Sequence, residues 1–165
     1  MSRAQKCVGQ LIAFKQGGAH MALNGATKRN GMHVLIQHYL QTRRRLGMKE
    51  LDYTQEITVI HCAQPFDDVG DSEDKRLFNQ WCEVIDKYYK AIAVNNSHYP
   101  LQTAEIRKKL FTLRFIYLIN DSKVAEMLEL NSGAYSRHKK PVVDTFLQSL
   151  GVSEETVARV AKYVS

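Results

Sequence analysis

The stretch from Asp121 to Leu150 restricts the fold more than any other part of the sequence, because it combines two helical patterns with a turn between them. It reads DSKVAEMLELNSGAYSRHKKPVVDTFLQSL. The first apolar set, at the spacing of a short helix, is Val124, Ala125, Leu128 and Leu130. Asn131 is placed to cap a second helix. The inward residues expected on that helix are Tyr135, Val142, Phe146 and Leu150.

The second helix leaves polar and basic side chains on its outer face. These are Ser132, Ser136, Arg137, Lys139 and Lys140. A helix-turn-helix with a basic second helix is the usual device by which proteins enter the major groove of DNA. We therefore predict that these five residues contact double-stranded DNA. Pro141 falls about nine residues into the second helix, where it is expected to kink or divide it.

Apolar spacing elsewhere predicts further helices, so the expected fold class is all-α. The predicted spans are 32–46, about 73–95, 103–118 and 153–163. The residues expected to face inward on the helix from Thr103 are Ile106, Leu110, Leu113, Tyr117 and Leu118. Asn24-Gly25 and Asn30-Gly31 are turn signals ahead of the first helix, and Gly47 is a stop signal after it. The β-branched run at 57–60 is compatible with a strand, but a single strand would have no partner. An extended segment lying on the helices is therefore favoured.

The predicted domain organisation has three parts. Residues 1–31 form a basic arm, of which the part up to Met21 need not be native, because Gly18-Ala19-His20-Met21 is typical of a cloning remnant. Residues 32–72 form a helix followed by an acidic linker. Residues 73–165 form a helical domain with the helix-turn-helix at about 121–150.

Charge is divided unevenly along the chain. Residues 1–49 contain nine Lys and Arg and no acid, residues 50–100 contain ten acids and four bases, and residues 101–165 contain ten bases and seven acids. Basic ends favour a nucleic-acid partner, because phosphate attracts clustered cations. The alternative is that the acidic middle neutralises the basic ends within the molecule. We predict that Arg43, Arg44 and Arg45 add contacts to DNA phosphate outside the helix-turn-helix, and the alternative is that they only complement the negative end of the first helix.

The remaining residue groups indicate no enzyme, metal or cofactor. His61, Cys62 and Cys82 lack the paired spacing of a zinc site, and buried cysteine is the better interpretation. Trp81, Tyr88 and Tyr89 could stack on single-stranded nucleic acid, but their helical spacing favours core packing. The sequence contains no phosphate-binding loop, nucleophile elbow or paired-carboxylate motif.

Cellular location is inferred from what the sequence lacks. An odd number of irregularly spaced cysteines favours reduced thiols. The sequence has no signal-peptide pattern and no apolar run of about 20 residues. A cytoplasmic protein without a membrane partner is expected.

Two stretches, IRKKLFTLRFIYL at 106–118 and INDSKVAEMLELNSGAYSRHKK at 119–140, resemble the ArpU/RinA group of phage and prophage transcription regulators. The second stretch matches the pattern of that group at Val124, Ala125, Leu128, Leu130, Asn131, Tyr135, Arg137, Lys139 and Lys140. The group is similar to the helix-turn-helix that bacterial sigma factors place on the −35 promoter element. The resemblance implies a DNA-binding regulator in the cytoplasm of a bacterial host, with RNA polymerase and a second copy of the chain as further candidate partners.

A second hypothesis comes from a different class of function. A phage-encoded helical protein could bind a host protein and inhibit or redirect it. The outer face of residues 132–140 discriminates between the two, because burial of those side chains against the helix at 32–46 would exclude the DNA-binding interpretation.

Overall fold

The structure, a computed structural model, describes residues 23–51, 65–93 and 100–163. Within these ranges the chain is all-α, as predicted, and has six α-helices. They are α1 (Gly25–Arg45), α2 (Glu73–Ala93), α3 (Pro100–Leu110), α4 (Asp121–Met127), α5 (Ser132–Leu150) and α6 (Glu154–Ala161). None of these helices has the length and apolar character that crossing a membrane requires. The predictions for residues 1–22, for the run at 57–60 and for His61 and Cys62 lie outside the described ranges.

Helix α1 begins seven residues earlier than the sequence predicts. Asn24 is its N-cap, and the Asn24 Oδ1 atom accepts a hydrogen bond of 2.8 Å from the amide of Thr27. The two predicted turns are therefore wrong, since Asn24 caps a helix and Asn30-Gly31 lies inside it. The predicted end is confirmed, because Gly47 follows the helix with a φ of 70°.

The core is built around aromatic side chains from four helical segments. Trp81 of α2 stacks on Phe146 of α5 with ring centroids 6.4 Å apart, and Tyr88 lies 4.9 Å from Phe111. Trp81 and Tyr88 are fully buried, which confirms core packing for both. Cys82 is also buried, as predicted. Helix α1 packs mainly on α6, and α2 packs mainly on α5.

Helix α3 continues into a π-helical segment, Phe111–Ile116. The predicted inward residues Leu110 and Leu113 are buried, but Leu118 is 51% exposed and has a φ of 59°. The inward assignment of Leu118 was wrong because the helix ends at Ile116, before that residue. The wider turn of the π-helix also changes which residues face inward, and Phe111 and Phe115 are both buried.

The stretch at 121–150 forms two helices joined by a turn. Asn131 caps α5, as predicted, by accepting a 2.8 Å hydrogen bond from the amide of Ala134. The turn includes Glu129, whose φ is 57°. The four residues predicted to face inward on α5 are all buried. The residues of the first apolar set are less uniform, since Val124 is buried and Ala125, Leu128 and Leu130 are only partly buried.

Helix α5 continues through Pro141, so the expectation that the proline divides it was wrong. Proline removes one intrahelical hydrogen bond, the one that residue 141 would donate to the carbonyl of Arg137. The helix continues because buried side chains fix it on both sides of the proline. Tyr135 anchors the half before it, and Val142 and Val143 anchor the half after it.

Candidate functional site

A groove of about 740 Å³ opens where helices α1, α4 and α5 begin. We call it the basic groove, because the described residues that line it include four cations, Lys28, Arg29, Lys139 and Lys140, and two carboxylates. The other lining residues are Leu23, Gly25, Asp121, Ser122, Ala125, Ser132, Tyr135, Ser136, Val143 and Asp144. The groove therefore has an excess of positive charge together with several hydroxyl groups.

Asp121 joins three segments of the chain at the wall of the groove. Its Oδ1 atom accepts hydrogen bonds from the Tyr135 hydroxyl at 2.6 Å, from Lys139 Nζ at 2.8 Å and from Arg114 Nε at 3.0 Å. Arg114 belongs to the π-helical segment, whereas Tyr135 and Lys139 belong to α5. One carboxylate at the start of α4 therefore fixes α4 and α5 relative to the segment before them.

The ionisation of these groups follows from their contacts. Partial burial raises the pKa of Asp121, but the hydrogen bonds from Lys139 and Tyr135 and the charges of Lys139 and Arg114 outweigh it and bring the pKa to about 2. Burial, and then the hydrogen bond to Asp121, raise the pKa of Tyr135. Burial lowers the pKa of Lys139, and the charges of Arg29 and Arg114 add to that effect against the opposing effect of Asp121. Asp121 is thus a carboxylate at neutral pH.

Two other cations on the groove differ in how they are held. Lys28 forms an ion pair with Asp144 at 3.0 Å. Arg29 folds back over the start of α1, where its Nη1 atom lies 2.9 Å from the point that a Cβ on Gly25 would occupy. Within the part of the chain that the structure describes, neither Arg29 nor Lys140 forms an ion pair with a carboxylate.

Four of the five residues predicted to contact DNA on α5 are exposed at its amino-terminal end. They are Ser132, Ser136, Arg137 and Lys140. The outward prediction for Lys139 was wrong, because its side chain is only 13% exposed and is bound to Asp121. These four side chains are not buried against α1, so the condition that would exclude the DNA-binding interpretation is not met.

The structure does not bring Arg43, Arg44 and Arg45 to the groove. They occupy the last turn of α1, whereas the groove lies at the first turns of that helix. Helix α1 has 21 residues and is about 30 Å long. Each of the three arginines has a local partner. Arg43 donates to the carbonyl of Lys49 at 3.0 Å, Arg44 pairs with Glu50 at 2.7 Å, and Arg45 pairs with Asp74 at 2.8 Å. At this end of α1, acidic residues do neutralise basic ones within the molecule.

Sequence reasoning missed Lys28, Arg29 and Asp121 as groove residues. The adjacent Lys28-Arg29 pair was visible, but it was assigned to an arm because the helix was expected to begin at Met32. Asp121 was treated only as part of a helix start. Its role depends on Arg114 and Lys139, which come close to it only in the folded chain.

The nearby histidines add no positive charge at neutral pH. His33 packs on Phe115 with ring centroids 5.0 Å apart, and burial together with Arg114 and Lys139 lowers the pKa of His33 to about 4. His138 accepts a 3.3 Å hydrogen bond from Arg107, and burial lowers its pKa too. No cluster of three or more His, Cys, Asp or Glu side chains able to hold a metal occurs in the described ranges.

Taken together, the described residues define an all-α protein with a basic groove beside the exposed amino-terminal half of a long helix. Comparison of the chain with models of known protein families, with curated proteins and with solved structures gives no match.

Proposed function

We propose that this protein binds double-stranded DNA through the amino-terminal half of α5 and regulates transcription without enzymatic activity. The observation that carries the proposal is the exposure of Ser132, Ser136, Arg137 and Lys140 within the first nine residues of that helix. The phage and prophage setting rests on the sequence resemblance at 106–140.

The arrangement of these four side chains suits the major groove. Ser132, Ser136 and Lys140 are spaced by four residues and therefore follow one stripe of the helix, with Arg137 beside it. An α-helix with its side chains is about 10–12 Å across. The major groove of B-form DNA is about 12 Å wide and admits one α-helix.

The four side chains are assigned to two kinds of contact, with base edges and with the phosphate backbone of the DNA. Arg137 has no ion pair with the described carboxylates, so its guanidinium is available to donate two hydrogen bonds to O6 and N7 of a guanine. The serine hydroxyls can contact base or phosphate. Lys140 lies nearer the basic groove and is assigned to phosphate.

Asp121 is assigned a positioning role. It does not contact the DNA in this proposal, but its hydrogen bonds to Tyr135 and Arg114 set the direction in which α5 leaves the turn. A bidentate contact with a base tolerates little error in direction, so a fixed helix favours discrimination between bases.

The test is selection of duplexes from a random library, followed by fluorescence-anisotropy titration of the selected and of scrambled duplexes at two salt concentrations. Enrichment of a common site, bound more tightly than scrambled DNA, is expected. Ser136→Glu should abolish the preference, because a carboxylate on the outer face repels phosphate. The control Glu155→Gln, at an exposed position of α6, should bind as the wild type does. Failure to enrich any sequence, or equal binding by Ser136→Glu, would falsify the proposal and favour a protein partner.

A further inference from the structure

We propose that the basic groove is a binding site for a phosphate group, held directly by Arg29 and Lys140. This site goes beyond the DNA-reading face of α5, because Arg29 and Lys28 come from the other wall of the groove. The phosphate could belong to a DNA backbone or to a free phosphorylated ligand, and the experiment below distinguishes these two sources.

The charge balance of the groove leaves a place for an anion. Two of the four cations form ion pairs with the two carboxylates of the groove. Lys28 pairs with Asp144 at 3.0 Å, and Lys139 pairs with Asp121 at 2.8 Å. Arg29 and Lys140 remain without a carboxylate in the described ranges. A phosphate dianion would balance these two remaining charges.

Two cations of the groove, Arg29 and Lys139, are close enough to repel each other. Arg29 contributes to the lowered pKa values of both Lys139 and His33, after burial and together with Arg114. Such repulsion costs free energy in the empty groove and is relieved when an anion binds. Binding should therefore stabilise the fold measurably.

Hydroxyl groups and helix ends add to the attraction. Ser122, Ser132 and Ser136 also line the groove and can donate hydrogen bonds to phosphate oxygens. The long helices α1 and α5 both begin at the rim of the groove. The partial positive charge at the amino terminus of each helix therefore adds to the charge of the basic side chains. These are secondary contributions, because the side chains carry the full charges.

The size of the groove indicates more than an isolated phosphate ion. Its volume of about 740 Å³ falls within the range of roughly 300–1,000 Å³ that small-molecule sites occupy. Leu23, Ala125 and Val143 supply apolar wall beside the charged groups. A phosphate carried on an organic body, such as a sugar, matches this mixture.

The experiment measures the melting temperature of the full chain while inorganic pyrophosphate is titrated in, with sodium chloride at equal ionic strength as the reference. A saturable rise above the chloride reference is expected, since a ligand that binds only the folded state stabilises it. Arg29→Gln and Lys140→Gln should each weaken the apparent pyrophosphate affinity about tenfold or more, as expected for loss of one charge-assisted hydrogen bond. Arg159→Gln, an exposed charge on α6 away from the groove, should bind as the wild type does.

Two results would overturn the phosphate site. One is a rise no larger than that with chloride, and the other is an equal loss of affinity in Arg159→Gln. Circular dichroism of each variant, together with its melting temperature without ligand, separates loss of the site from loss of the fold.

A competition with the selected DNA duplex assigns the source of the phosphate. Displacement of the duplex by pyrophosphate places a backbone phosphate in the groove, whereas simultaneous binding indicates a free ligand. If the chain binds pyrophosphate but no DNA, the phosphate site stands and the proposed function fails.

Discussion

Gly31 of α1 lies directly against Val157 of α6. A Cβ atom on Gly31 would be 2.6 Å from the Cγ1 atom of Val157 and 3.0 Å from its carbonyl oxygen. The two helices therefore approach more closely than any residue with a side chain would allow at this point. The Asn30-Gly31 pair, a turn signal in the sequence, has a packing role in the middle of a helix.

Gly31→Ala should destabilise the protein by about 1–2 kcal/mol, since the cost of overpacking exceeds the gain in helix propensity. Thermal or urea unfolding measures the difference. Gly133→Ala is the matched control, because the nearest atom to its new Cβ is 3.5 Å away. That variant should be as stable as the wild type or more so. A stabilised Gly31→Ala protein would show that α1 and α6 are not so close.

Asp121→Asn should destabilise the protein at neutral pH by about 1 kcal/mol, after allowance for solvent screening of a side chain that is 48% exposed. The folded-state pKa of about 2 lies below the ordinary value of 3.8, so the carboxylate contributes its stability above about pH 4. That contribution is lost as the pH falls through the folded-state value. The difference in unfolding free energy between wild type and variant should therefore shrink between pH 5 and pH 2. A difference independent of pH would mean that the charge of Asp121 is not what Lys139 and Arg114 recognise.

Arg137→Ala should weaken binding to the selected DNA site by about 1–3 kcal/mol and binding to scrambled DNA much less. The reason is that a guanidinium paired with one guanine discriminates against other bases. Anisotropy titrations measure the affinity of the variant for the selected DNA and for the scrambled DNA. Arg159→Ala is the control variant. Equal losses on the two kinds of DNA would assign Arg137 to phosphate.

Replacing Arg43, Arg44 and Arg45 together by Gln should lower stability by less than about 1 kcal/mol and leave the salt dependence of DNA binding unchanged. These residues lie at the far end of α1 from the groove and are engaged with Lys49, Glu50 and Asp74. Exposed ion pairs of this kind contribute little. The contradicting result is a shallower slope of log affinity against log salt concentration, by about one unit for each lost phosphate contact. That result would show that these arginines belong to the DNA-binding surface.

The sequence predicted the helices well where local chemistry decides them. The cap at Asn131 follows from a hydrogen bond within one turn, and it is observed. The buried face of α2 follows from its regular apolar spacing. Tertiary contacts decided the other cases. Gly31 lies inside a helix at the close contact with Val157, where a side chain would not fit. The π-helical segment buries Phe111 and Phe115, and the chain leaves the helix before Leu118.

The candidate site was only partly accessible to prediction for the same reason. Ser132, Ser136, Arg137 and Lys140 could be placed on an outer face because helical periodicity fixes that face. Lys139 could not, since its partner Asp121 is 18 residues away and comes close only after folding. The groove as a whole depends on the start of α1, which sequence reasoning placed too late.

Pro141 separates the two halves of α5 without breaking the helix. The carbonyl of Arg137 has no amide donor four residues ahead, so the connection between the turns on either side is weaker than elsewhere in the helix. Fraying that starts at Ser132 should therefore stop near the proline, where the buried residues Val142 and Val143 begin. The amino-terminal half of α5 is consequently expected to open and re-form separately from the half inside the core, which keeps its structure.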